Sequence, residues 1–121
     1  MSGKSVLFYH TETAGYQPLV DLYETDDHLV FEIELPGVDP KEVLIKVYDD
    51  LVILEGVKRE WRDERRVRYL CMERKFVSFR RILKIPVPVN SMAGEAAYRE
   101  GVITLKFPRL KDKVIRIKIG T

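Results

Sequence analysis

Apolar residues recur at every second position in several short runs of this 121-residue chain. The clearest run lies between residues 28 and 35, where the odd positions are all apolar: Leu29, Phe31, Ile33 and Leu35. A period of two places these side chains on one face of a β-strand, whereas a helix needs apolar residues three or four apart. Further strand-like runs, bounded by turn residues, lie at 19–24, 43–48 and 102–107, and the run 51–54 is apolar on both faces, as expected of a central strand. This spacing predicts an all-β protein with an immunoglobulin-like β-sandwich.

The last third of the chain carries a hairpin and an apolar tail. Glu100-Gly101 is a tight-turn signal, and the strand that follows it ends at Pro108, because proline removes a ladder donor. Beyond a polar spacer, the side chains that share one face of an extended chain are Ile115, Ile117 and Ile119. Two interpretations remain open. The row is a last strand of the chain's own sheet, or a tether that adds to a sheet edge of a neighbouring subunit, and the polar spacer favours the tether.

Composition indicates one globular domain, with 45% apolar and 33% charged residues. We predict an N-terminal arm at 1–17, the sandwich at 18–108 and a C-terminal tail at 109–121. We expect the arm to be mobile, and its apolar cluster is interpreted equally well as a binding surface or as a strand packed on the domain. No apolar run approaches the length of a membrane span, so we expect a cytoplasmic protein without a membrane partner.

Charge is distributed unevenly along the chain. Residues 1–57 hold three basic against twelve acidic side chains, and the remainder holds eighteen basic against seven acidic. The stretch 58–68 is six basic against three acidic, which is too polar for a core. We therefore predict that 58–72 protrudes from the sandwich, and that the two oppositely charged halves pair within or between subunits.

Residue types that carry chemistry are sparse. The single cysteine, Cys71, allows no internal disulfide, and its apolar neighbours predict a small buried side chain in a strand. His10 and His28 have no ligand spacing to each other or to Cys71, and no glycine-rich phosphate loop is present. We expect no metal, no cofactor and no enzymatic activity.

Several motifs together resemble the small heat-shock protein family, which is built on the α-crystallin domain. The stretch from Ala97 through Gly101-Val102-Ile103 resembles the family's A-x-x-x-G-V-L signature, and the run 34–38 reads E-L-P-G-V as in the family. The terminal I-x-I is the family's other mark. The resemblance implies an ATP-independent chaperone, a holdase that binds partly unfolded client proteins and suppresses their aggregation.

The resemblance also implies two interaction sites. In bacterial, archaeal and plant members the protruding loop pairs with an edge strand of a partner, which makes this chain a homodimer that assembles further. The residues implied at the dimer interface are Trp61, Arg66, Arg68, Tyr69, Leu70 and Arg81, facing Asp21 and Glu24. A groove for the tail or a client is implied at Val43, Ile45, Val47 and Ala97.

Two other functions compete with this one. The arginine-rich segment 58–81 is interleaved with aromatic residues, a pattern typical of nucleic-acid-binding domains. The acidic first half and a net charge of only +2 argue against it, because both weaken attraction to phosphates. A co-chaperone of the p23 type shares the sandwich but typically lacks the exchanged loop and the I-x-I tail.

Overall fold

Two four-stranded antiparallel sheets pack face to face in the structure, a computed structural model that describes residues 8–9 (backbone only), 17–58, 66–73, 77–110 and 116–121. The strands are β1 (Phe8–Tyr9), β2 (Leu19–Glu24), β3 (His28–Glu34), β4 (Val43–Tyr48), β5 (Leu51–Lys58), β6 (Val77–Lys84), β7 (Glu95–Arg99) and β8 (Val102–Pro108). The first sheet has the order β1-β6-β5-β4 and the second β2-β3-β8-β7. Short 3₁₀ turns precede β4 and β7, at Pro40–Glu42 and Ser91–Ala93. The predicted all-β sandwich is confirmed.

The core lies between the two inner faces and follows the predicted alternation. Leu29, Phe31 and Ile33 of β3 are buried, as are Val52 and Leu54 of β5. The remaining core members come from the other central strands and the loops between them: Leu35, Val38, Phe79, Leu83, Ile85, Ile103, Leu105 and Phe107. At the centre the rings of Phe31 and Phe107 meet edge to face, with centroids 6.2 Å apart.

Glycine allows close packing beside this core. Gly94, just before β7, has no side chain, and a Cβ atom placed there would lie 2.6 Å from Cε1 of Phe107. Real carbon atoms pack at about 3.5 to 4.0 Å. The Phe107 ring therefore occupies the space that any other residue at position 94 would need.

The β7–β8 hairpin closes through the turn that the sequence predicted. Glu100 has φ 52° and Gly101 has φ 80°, so both central residues are left-handed, as in a type I′ turn. Such turns match the right-handed twist of the strands they join. Because only glycine adopts this conformation freely, Gly101 fixes the register between the strands.

Two parts of the chain differ from expectation. β5 runs to Lys58, four residues beyond the predicted 51–54, since its pairing with β6 continues as far as Val77. Cys71 is exposed, so its predicted burial in a strand is wrong for the single chain. The described segment 66–73 around it contains no strand. At the other end of the chain, the backbone of Phe8–Tyr9 pairs with β6. This pairing agrees with the interpretation of that part of the arm as a strand packed on the domain.

Candidate functional site

A groove opens where the outermost strands of the two sheets meet. β4 ends the first sheet and β7 ends the second, so the sandwich is open along this side. The cavity between them has a volume of about 270 Å³ and is lined by Pro40, Val43, Ile45, Ala96, Ala97, Tyr98 and Ile103. Every one of these side chains is apolar or aromatic, so the groove suits an apolar side chain rather than a charged ligand.

The β7 wall is set by strand register. Ala96 pairs with Leu105 and Tyr98 with Ile103, both buried core residues, so Ala96 and Tyr98 share the inner face of the sheet. Ala97 alternates with them and pairs with Thr104. It also belongs to the groove lining.

Tyr98 has its polar atom satisfied away from the groove. The Tyr98 hydroxyl donates a hydrogen bond to the main-chain oxygen of Leu35, at 2.9 Å. Leu35 is fully buried, and its own N–H donates to the Gly101 oxygen at 2.7 Å. The tyrosine ring therefore lines the groove while its hydroxyl ties β7 to the chain that leaves β3.

The β4 wall begins at a capped turn. Asp39 Oδ1 accepts a hydrogen bond from the Lys41 N–H at 2.9 Å, which holds the 3₁₀ turn and places Pro40 at the mouth of the groove. Val43 and Ile45 follow on alternate positions and are half-buried. Val47 continues the same face of β4, but it is 37% exposed and lies outside the cavity lining.

The structure thus brings together three of the four groove residues implied by the resemblance: Val43, Ile45 and Ala97. Sequence reasoning missed Pro40, Ala96, Tyr98 and Ile103. Ala96 and Tyr98 could have been found by counting back along the chain from Gly101, because the turn there sets how β7 pairs with β8. Hydropathy alone does not show which of the adjacent residues Ala96 and Ala97 faces inward, because the two side chains are identical.

The tail is exposed where the structure describes it. Ile117 is 83% exposed and Ile119 is 90% exposed. Ile115 lies outside the described residues. Exposure of two large aliphatic side chains two positions apart leaves an apolar face that a partner surface can cover.

A second candidate surface lies at the opposite side of the sandwich. β2 is the outermost strand of the second sheet on this side, and its residues Asp21 and Glu24 are exposed. Next to them, Tyr23 Oη donates to Glu32 Oε2 at 2.9 Å, and this hydrogen bond is the main cause of a raised pKa of the tyrosine. The exposed carboxylates of Asp21 and Glu24 make this edge acidic.

Four of the six residues implied for the other half of a dimer interface lie in the segment 66–73. Arg66, Arg68 and Leu70 are exposed, with Leu70 at 91%, and Tyr69 is half-buried. Trp61 lies outside the described residues. The segment carries cationic and apolar side chains outward, in contrast to the acidic β2 edge.

Arg81 connects the two sheets on that same side. Its Nη1 donates to the main-chain oxygen of Pro18, the residue before β2, at 2.6 Å. Partial burial of the guanidinium lowers the pKa of Arg81, because a charged group loses hydration there. In the single chain Arg81 thus holds the start of β2 against β6.

The outer face of the first sheet carries an ion network on Glu55. Lys46 Nζ lies 3.1 Å from Glu55 Oε1, and Arg80 Nε lies 3.0 Å from Oε2. The Lys46 contact, followed by Arg80, holds the pKa of Glu55 below its usual value. These pairs are exposed, so each contributes little to stability on its own.

Two negative findings apply to the described residues. Within them, no three histidine, cysteine or acidic side chains come together as metal ligands. The helical segments among them are too short to cross a membrane.

Comparison with known proteins identifies relatives over most of the sandwich and the tail. A sequence profile of the Hsp20/alpha crystallin family matches residues 21–120. Small heat shock protein C2 of Rickettsia felis is 30% identical over 104 residues, which cover 84% of this chain and 68% of the relative. Spore protein SP21 of Stigmatella aurantiaca is 31% identical over 78% of this chain and 56% of its own length, so the chain spans little more than half of that relative.

Experimental structures share the fold at lower identity. Heat shock protein 16.0 from Schizosaccharomyces pombe has a TM-score of 0.72 and 23% identity, covering 98% of this chain and 88% of its own. A small heat-shock protein from Xylella fastidiosa has a TM-score of 0.71 and 24% identity, covering 89% of this chain and 100% of its own. The sandwich described above is therefore the fold of these proteins.

Proposed function

This chain belongs to the Hsp20/alpha crystallin family, whose members are chaperones rather than enzymes, and from that premise we propose that it is an ATP-independent holdase that binds partly unfolded proteins. The observation that carries the proposal is the apolar groove between β4 and β7. It presents half-buried Val43 and Ile45 to any extended apolar segment that reaches it. Two exposed strand edges beside it offer main-chain hydrogen bonds to the same segment.

The first occupant of the groove is the tail of another subunit. Ile117 and Ile119 are exposed and stand two positions apart, the spacing at which side chains of an extended peptide share a face. Full burial of all three tail isoleucines, Ile115 included, is worth about 4.5 to 9 kcal/mol at about 1.5 to 3 kcal/mol each, whereas ordering some five tail residues at about 1 to 2 kcal/mol each costs about 5 to 10 kcal/mol. The terms nearly cancel, so a single tail binds reversibly and yields the groove to a client.

The dimer forms at the other side of the sandwich. The basic, exposed segment 66–73 of one chain lies on the acidic β2 edge of its partner, with Arg66 and Arg68 near Asp21 and Glu24. Exposed ion pairs contribute only about 0 to 1 kcal/mol each, so they orient the partners while main-chain pairing and apolar contact hold them. In this dimer the exposed Leu70 is covered.

The decisive experiment measures light scattering from a heat-aggregating client protein without nucleotide. We expect near-stoichiometric amounts of this protein to suppress the aggregation. A matched variant, Ile45→Asp, places a carboxylate in the groove, and we expect it to suppress less while remaining folded by circular dichroism. Full aggregation of the client in the presence of well-folded wild-type protein would refute the holdase proposal.

The tail is tested separately by replacing Ile117 and Ile119 with glycine. We expect the mass of the assembly, measured by multi-angle light scattering, to fall toward that of a dimer. Replacing Arg116 and Lys118 with glycine is the control, since it adds the same flexibility and keeps the isoleucines. An unchanged mass in the isoleucine variant rules out the tether.

The dimer is tested by deleting residues 60–70. We expect folded monomers, because the deletion removes the segment that reaches the partner and leaves every core residue in place. A dimer that persists after the deletion places the interface elsewhere.

A further inference from the structure

Arg109, the first residue after β8, contacts the β2–β3 turn through its side chain. Its Nη1 donates to the main-chain oxygens of Thr25, at 3.1 Å, and Asp26, at 3.3 Å. Its Nε lies 3.6 Å from Glu24 Oε1. One guanidinium therefore contacts three consecutive residues, a geometry that its planar fork of donors allows and a lysine ammonium does not.

The main chain at this point is held from both sides. The Arg109 N–H donates to the Asp27 oxygen at 2.8 Å, and the Leu110 N–H donates to the Pro88 oxygen at 3.1 Å. Val89 also forms an isolated antiparallel bridge with Arg109. Where the chain leaves the sandwich, its main chain thus lies between the β2–β3 turn and the segment 88–90 and is hydrogen-bonded to both.

We propose that Arg109 is a positioning residue for the tail: its clamp on residues 24–26 fixes the direction in which residues 110–121 leave the domain. The tether that this direction serves rests on the proposed function. The eight residues from Leu110 to Ile117 span at most about 28 Å when extended. A fixed exit limits the volume that Ile117 searches, which raises its effective concentration at a groove lying in that direction.

The clamp also joins two contacts that the proposed function treats separately. Glu24 is the last residue of β2, the edge on which the partner lies in the proposed dimer. Because Arg109 contacts Glu24 and the turn that follows it, a partner on the β2 edge stabilises the same turn that orients the tail. Dimer formation and tail binding then favour each other.

The test uses a nitroxide on Leu110→Cys, in a Cys71→Ser background that leaves no other thiol. Leu110 is 55% exposed, so the label is tolerated and reports motion at the exit. In the otherwise unchanged chain we expect a restricted spectrum. In Arg109→Ala we expect the restricted component to be lost, and in Arg109→Lys, which keeps the charge, an intermediate spectrum. Arg116→Ala, at an exposed tail residue outside the clamp, is the matched control and leaves the spectrum unchanged.

Two further measurements use unlabelled protein. Subunit exchange, followed by mixing two isotopically distinct preparations, should be about fivefold faster in Arg109→Ala, because a freely swivelling tail has a lower effective concentration. In a background with glycine at positions 117 and 119, where the chain's own tail does not compete, a free peptide of residues 112–121 should bind equally with and without Arg109→Ala, since the substitution leaves the groove intact.

The outcomes separate this proposal from the one on which it rests. A restricted label in both Arg109→Ala and Arg109→Lys overturns the positioning role, as does a loss of the restricted component in the Arg116→Ala control that equals the loss in Arg109→Ala. Loss of peptide binding in Arg109→Ala also overturns it, because the substitution would then act on the groove itself. If glycine at positions 117 and 119 leaves the assembly unchanged, the tether is wrong, while the label still decides what Arg109 does.

Discussion

Gly94→Ala adds one methyl group at a point where the structure has no room for it. The new Cβ atom would lie 2.6 Å from Cε1 and 2.9 Å from Cδ1 of Phe107. Contacts between carbons are normally about 3.5 Å or longer, so ring or strand must move by almost 1 Å. The ring has little freedom, because Phe107 is 1% exposed and Phe31 packs edge-on against it.

The cost follows from two opposing effects. Overpacking a core of this kind costs about 1 to 3 kcal/mol. Gly94 has φ −66° and ψ 142°, which alanine adopts without strain, so the substitution also gains about 0.4 to 1 kcal/mol by restricting the unfolded chain. We expect the free energy of unfolding to fall by about 1 to 2 kcal/mol in balance.

Urea denaturation followed by circular dichroism, at one fixed protein concentration, measures this loss. With a slope near 2 kcal/mol per molar urea, the midpoint should fall by about 0.5 to 1 M. Gly120→Ala is the control, since a Cβ atom there meets nothing within 4 Å, and its midpoint should not move. A second substitution, Phe107→Leu, should cost less in the Gly94→Ala background than alone. Equal midpoints for Gly94→Ala and wild type would refute the argument that the ring is fixed.

Three further predictions follow from single contacts. Tyr98→Phe removes a donor to a buried carbonyl and should lower the unfolding free energy by about 1 kcal/mol in calorimetry, with unchanged affinity for a tail peptide. Gly101→Ala forces alanine to a φ of 80° and should lower the thermal midpoint, whereas Gly120→Ala leaves it unchanged. The lowered pKa of Glu55 means that its stabilising effect is complete above the ordinary glutamate pKa and is lost as pH falls through the lower folded-state pKa. Glu55→Gln should therefore flatten stability against pH in that acid window, and an unchanged slope would count against the ion network.

Much of the fold was predictable because alternation and turns act locally. Leu29, Phe31 and Ile33 mark an inner face by their spacing alone, and the turn at Gly101 sets where the hairpin reverses. β5 was predicted four residues too short, since Glu55 and Gly56 end the apolar pattern while pairing with β6 continues. Ladder hydrogen bonds to a neighbour extend a strand without leaving a trace in its hydropathy.

The candidate site was harder to predict, because a groove is made by two strands of different sheets. Alternation places Val43 and Ile45 on one face of β4, and the family resemblance implied that they line a groove, but the opposite wall depends on the register of β7. Ala96 and Ala97 are identical side chains, so only pairing with β8 decides which one faces inward. The predicted burial of Cys71 was wrong for a related reason: apolar neighbours in the sequence predict burial only where the chain itself supplies a surface to pack on.

The strand order of the second sheet has a geometric consequence. β2 and β7 are its two outermost strands, separated by β3 and β8. Three inter-strand spacings place these edges about 14 Å apart. A partner strand on β2 and an extended peptide beside β7 therefore do not compete for space, and one subunit can carry both at once. A building block with two such independent faces has a valence of at least two, and the angle between the faces decides whether copies close into a shell or continue as an open chain.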